Sequence, residues 1–180
     1  MLIDYNKFEI IPMGGYQIDH ASNIKLLDTL EEFYHVSQTG NLNYYLSGSV
    51  CLSLLTNKVY RTWKDIDILI DEDTMVPWLD LFPKDKWFYF VFNKKITKVY
   101  NKKNSNYLEL NTGDKETRLY YEKYLKITNY NGIKIGNLDT ITFWKNNIRK
   151  NKKNIDLYDQ IIIKQHLNLT RKAINVKIVD

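Results

Sequence analysis

Three observations on the sequence predict an α+β fold: a mixed β-sheet with flanking helices and a C-terminal helical segment. First, "DIDILID", "KWFYFVFN", "ITKVYN" and "NYLELNT" follow one another as short strand-like runs separated by polar, Lys/Asn-rich turns. Second, "SNIKLLDTLEEFYHVSQTG" ahead of them has helical spacing. Third, helix-type patterns return after "ITNYNGIKIGN" with no linker between.

In chain order, residues 1–22 form an N-terminal extension that contains the turn Met13-Gly14-Gly15 and resists assignment. The first helix is expected to be capped by Ser22, to end at Gly40, and to bury Ile24, Leu27, Leu30 and Tyr34. "LNYYLSG" reads as a short strand running into a turn at Gly48. "VCLSLLTN" reads as a helix starting at that turn and packed through Val50, Leu54 and Leu55. The strands follow, completing a core over residues 23–135. Residues 136–180 are expected to pack on it as two helices, "LDTITFWKNNIRK" capped by Asn137, then "NIDLYDQIIIKQHLN".

A chain of 180 residues is long enough for one domain with a real core. Apolar content of 44% and aromatic content of 14% speak against disorder. Cys51 is the single cysteine, so no internal disulfide forms. No apolar run approaches membrane-spanning length and "MLIDYNKFEI" lacks signal-peptide character, which predicts a cytoplasmic protein with no membrane partner. Net charge is +5, a modest excess compatible with RNA or a nucleotide. His20, His35 and His166 are scattered without ligand spacing, which disfavours a zinc site.

The chemistry concentrates in "YYLSGSVCLSLLTNKVYRTWKDIDILIDE". On a strand, Asp65 and Asp67 share a face, their carboxylates roughly 6–7 Å apart, while Ile66, Ile68 and Ile70 face the core. Two carboxylates that close repel unless a cation lies between them, and oxygen-only ligation suits Mg²⁺ with phosphate oxygens. An isolated pair of this kind is as readily the wet side of an edge strand. Its context adds weight, because Gly48-Ser49 between strand and helix offers backbone N–H groups to a phosphate.

These residues resemble the DNA polymerase beta-type nucleotidyltransferase superfamily, whose pattern is an apolar residue, Gly and Gly/Ser, then two acids flanking an apolar residue. The resemblance implies a nucleotidyltransferase-type mixed sheet and two Mg²⁺ ions, with Mn²⁺ as a substitute, held by three carboxylates. Asp65 and Asp67 would be two of them, and Glu109 in "YLELNT" the third, drawing the proton from the attacking hydroxyl. Gly48, Ser49, Arg61 and Lys64 would contact the triphosphate.

The C-terminal third, "IGNLDTITFWKNNIRKNKKNIDLYDQI", is similar to the helical end of the abortive-infection toxin (AbiEii-like) or minimal nucleotidyltransferase subgroup. By that likeness Lys145 and Arg149 would neutralise the triphosphate, with Asp156 holding one of them. An exposed basic helix face explains the same residues. The subgroup usually has threonine where this chain has Trp63, and an acid where it has Asn154. The implied partners are an NTP and an acceptor hydroxyl on RNA or tRNA, on protein or on a small molecule. A toxin role would add a cognate antitoxin. The alternatives are an antibiotic nucleotidyltransferase of aminoglycoside or lincosamide type, or an inactive nucleotide-binding module. "WFYFVF" reads first as core or a sheet face, with one exposed ring able to stack on a base. Lys94, Lys95, Lys98, Lys102 and Lys103 read as turn charges that could border a basic groove.

Overall fold

The computed structural model describes residues 3–11, 13, 17–113, 127–136, 158–166 and 168. Its elements are β1 (Glu9–Ile10), α1 (His20–Thr39), β2 (Tyr44–Ser47), α2 (Gly48–Thr56) and β3 (Lys58–Val59). Then come β4 (Ile66–Ile70), α3 (Met75–Leu81), β5 (Trp87–Val91), β6 (Ile96–Asn101), β7 (Tyr107–Asn111), β8 (Ile127–Tyr130) and β9 (Ile133–Gly136). Residues 158–166 are helical. The fold is α+β, around a seven-stranded mixed sheet of order β5-β6-β7-β4-β2-β9-β8. β4 runs parallel to β7 and antiparallel to β2, and β2 runs parallel to β9.

Strand alternation divides the sheet into two unlike faces. Leu46, Ile66, Ile68, Ile70, Val99, Leu108, Leu110, Ile133 and Ile135 form the apolar one and join a single core cluster with residues of α1, α2 and α3. Trp78 of α3 stacks on Phe33 of α1 at 5.5 Å, and Tyr44 meets both edge-on. Each large apolar side chain buried there contributes about 2–3 kcal/mol of transfer free energy.

Several local expectations change. α1 starts at His20, because Asp19 is the cap: its carboxylate accepts from the Ser22 backbone N–H at 2.9 Å and from the Ser22 hydroxyl at 2.7 Å. Leu27 and Leu30 are buried as expected, together with Asn23, Leu26, Thr29, Phe33, Val36 and Ser37, whereas Tyr34 is only partly covered and Ile24 is exposed. In α2, Leu52 and Ser53 are buried as fully as Val50, whereas Leu55 is only partly covered. β8 and β9 form a hairpin through Asn131-Gly132, both at positive φ, the dipeptide a two-residue turn favours. A side chain on Gly132 would also strike the Tyr34 hydroxyl. Ile3, Tyr5 and Phe8 from the N-terminal extension are buried in the core. The helix predicted at Asn137 lies outside the described residues.

Candidate functional site

The other face of the sheet holds the polar residues in rows set by strand register. Ser47 on β2 pairs with Asp67 on β4, Asp67 with Glu109 on β7, Glu109 with Lys98 on β6, and Lys98 with Phe90 on β5. Paired residues on adjacent strands lie about 5 Å apart and project to the same side. Asp65, immediately before β4, extends the next row, in which Tyr107, Tyr100 and Phe88 pair across β7, β6 and β5.

Gly48 fixes where Asp67 can sit. It opens α2 at φ +69°, a conformation that disfavours L side chains, and a methyl group there would overlap the Asp67 carboxylate. The carboxylate therefore rests against the first turn of α2, at the positive end of the helix dipole. Sequence reasoning gave this glycine the task of admitting a phosphate; the structure adds the task of admitting Asp67.

Asp65 is aimed by the segment ahead of it. The Trp63 backbone N–H donates to Asn23 Oδ1 at 2.8 Å, and its indole N–H donates to Ser53 at 3.1 Å. Asn23 is itself buried and donates to the Arg61 carbonyl at 3.3 Å. The Thr62 hydroxyl accepts from the Asp19 backbone N–H at 2.7 Å. Trp63 is thus a buried strut between α1 and α2. Beyond it, the Tyr107 hydroxyl donates to Asp65 Oδ2 at 3.5 Å. Burial, and then the Asp65 charge, raise the Tyr107 phenol above its ordinary pKa.

Glu109 is held by a residue that sequence reasoning left among turn charges. Lys98 Nζ lies 3.1 Å from Glu109 Oε1 and 4.4 Å from the centre of the Tyr107 ring. Desolvation alone would lower the Lys98 pKa, but its bonds to Glu109 and Tyr107 outweigh that and raise it. Strand alternation could have found the pair, since Lys98 and Glu109 each sit at outward positions of consecutive antiparallel strands. Among the described residues, no three His, Cys, Asp or Glu side chains gather as a ready metal site.

Solved structures similar to this chain include two nucleotidyltransferase-type proteins of the same architecture. The crystal structure of lincosamide antibiotic adenylyltransferase LnuA, lincomycin-bound, gives a TM-score of 0.55 at 16% identity, covering 82% of this chain and 97% of that one. An antigenic nucleotidyltransferase-like protein from Paracoccidioides brasiliensis gives 0.57 at 18% identity, covering 79% and 76%. This chain has the nucleotidyltransferase fold. No protein-family model matches it, and the search of curated proteins finds no relative.

Within that fold the structure brings Gly48, Asp65, Asp67 and Glu109 to one patch. Ser49 is buried in the first turn of α2. Arg61 is drawn elsewhere: its Nε lies 3.6 Å from Asp159, which is fully buried and accepts a short hydrogen bond from the Tyr60 hydroxyl. Burial and the Asp159 charge raise the Tyr60 phenol well above its usual pKa. Lys64 is exposed beside Asp65. Lys145, Arg149 and Asp156 lie outside the described residues. Cys51 is buried, with its thiol 3.4 Å from the Gly136 carbonyl.

Proposed function

We propose that this protein transfers a nucleoside monophosphate from an NTP to an acceptor hydroxyl. The observation that supports the reading best is the Asp67 carboxylate, seated on the Gly48 turn at the start of α2 and paired in register with Glu109. The donors on this patch are carboxylate oxygens, the ligand type suited to Mg²⁺ or Mn²⁺. Asp65 and Asp67 would hold the ion, and Glu109 would join them, with Lys98 released from it.

When bound, the divalent cation supplies charge neutralisation for the triphosphate and a lowered pKa for the acceptor hydroxyl. The α2 N-terminus, with the Gly48 and Ser49 backbone N–H groups, would steady the phosphates. Glu109 would accept the acceptor proton as the oxygen attacks the α-phosphate and pyrophosphate leaves. Released from Glu109, Lys98 would be a cation placed to offset charge developing at the reacting phosphate. Lys64 beside Asp65, and Lys145 and Arg149 from the C-terminal segment, belong to the same proposal as triphosphate contacts, with Asp156 as the anchor of one of them.

The acceptor is RNA, tRNA or protein in a toxin or defence setting, or an antibiotic. The likeness to LnuA favours a small molecule, and the exposed aromatic, lysine-flanked β5–β6 edge of the sheet favours RNA. A second reading, a nucleotide-binding module without turnover, is favoured by the Lys98–Glu109 ion pair.

The test is incubation with Mg²⁺, each labelled NTP, and either total RNA or a panel of hydroxylated antibiotics. Label transfer that disappears in Asp67→Asn, with the melting temperature retained, is the expected result. NTP binding that Asp67→Asn leaves unchanged, with no transfer to any acceptor, would overturn the proposal.

A further inference from the structure

The β5–β6 hairpin forms one edge of the sheet and carries an unusual surface. Phe88, Tyr89, Phe90, Val91 and Phe92 are each 51–62% exposed. An edge strand with both faces apolar is a liability that folded proteins normally blunt. Strand register puts Phe88 and Phe90 on the face that bears Asp65, Asp67 and Glu109. Phe92 follows on that side, its ring 5.5 Å from Lys98 Nζ.

The rings continue inward as a row. Phe88 stacks on Tyr100 with centroids 5.0 Å apart and planes 7° from parallel; Tyr100 meets Tyr107 at 5.1 Å, and Tyr107 reaches Asp65. An aromatic path therefore runs from the open edge of the sheet to the carboxylates.

Charge follows the same element. Residues 84–103 contain seven lysines against one acid, Asp85. The rest of the chain has 19 basic side chains against 20 acidic ones, so the positive excess lies in this hairpin and the residues flanking it. Two copies paired edge to edge would bring these lysines together, which disfavours a second copy as the occupant. Exposed rings interleaved with lysines suit unpaired bases joined by phosphates.

We propose that the β5–β6 hairpin is the acceptor platform of this site and that it holds the end of a single-stranded RNA, bases on Phe88, Phe90 and Phe92 and backbone on the lysines. The assignment of the strand as acceptor rests on the nucleotidyl-transfer reading; its binding does not.

Binding is therefore measured first, by fluorescence anisotropy with a labelled single-stranded oligoribonucleotide of mixed sequence and no NTP. The expected result is affinity that falls with salt, and that drops about tenfold for each of Phe90→Ser and Phe92→Ser. Tyr89→Ser and Val91→Ser, on the opposite face, should change it by less than about threefold. Lys94→Glu with Lys95→Glu should weaken binding and flatten the salt dependence.

Absence of RNA binding, equal affinity for a duplex, or indifference to Phe90 and Phe92 would overturn the platform. So would a dimer, seen by sedimentation, that Phe90→Ser dissolves. The catalytic reading fails separately. Asp67→Asn should abolish label transfer and leave oligonucleotide affinity intact. Transfer to an antibiotic in a protein that ignores RNA would sink this inference alone.

Discussion

The two faces of the central sheet are built from the same strands and have opposite properties. On β4, Ile66, Ile68 and Ile70 are sealed under helices, while Asp67 between them stands on the other side. On β7, Leu108 and Leu110 are fully buried, and Glu109 between them reaches Lys98. The difference teaches that one face specifies the fold by volume, while the other arranges charge around Asp67 and Glu109, with Leu69 buried and Tyr45 half-buried beside them. Substitutions should therefore separate into two groups, those that cost stability and those that cost chemistry.

The sharpest test is Asp67→Asn, which keeps the volume and removes the charge. It should lower nucleotidyl transfer by about 10³-fold or more, with a melting temperature close to that of the parent. A comparable loss of stability would show that the two faces are not independent. On the sealed face, Ile68→Ala should cost about 2–5 kcal/mol in chemical denaturation, and the residual folded protein should retain its activity. Gly48→Ala should breach the division. The positive φ costs about 1–3 kcal/mol in a non-glycine residue, and the displaced Asp67 should reduce transfer as well; full activity in that variant would contradict the geometry.

The tyrosines offer a pH test. Burial raises the phenol pKa values of Tyr44 and Tyr60, and of Tyr45 and Tyr107 on the face that bears Asp67. In the unfolded chain these groups ionise near pH 10. The folded state holds its protons longer, so their contribution is complete below pH 10 and is lost as pH rises towards the folded values. Stability should fall on the alkaline side, and ultraviolet titration should show these phenols ionising together with unfolding. The smallest effect is expected at Lys98→Met. A partly exposed ion pair is worth about 1 kcal/mol or less, yet the change frees Glu109, so activity should move by more than stability does.

Much of this architecture was legible because β4, β6 and β7 alternate with a period close to two and β5 is a short aromatic run, so each strand could be read locally. The candidate carboxylates were legible for the same reason, together with the glycine turn before them. What escaped notice depends on partners distant in sequence. The capture of Arg61 by Asp159 has no local signature, and Glu109 was placed beside Asp67 through the family resemblance rather than by any local pattern. The β8–β9 hairpin did have one, in Asn131-Gly132. α3 is only seven residues long, contains Pro77 and follows an acidic run, so its pattern resembles a turn. The burial of Ile3, Tyr5 and Phe8 came from β1 adding beside β3, a non-local contact of two residues per strand.

Register also limits how this chain can change length. Because Glu109 alternates with Leu108 and Leu110, inserting one residue into β7 ahead of it would send the acid towards α1 and turn a leucine towards Asp67. The same event would bury a charge and blank the reaction centre, so neither property could be lost while the other was kept. Descendants of this sequence can lengthen freely at the turns, but along that strand they must move in steps of two.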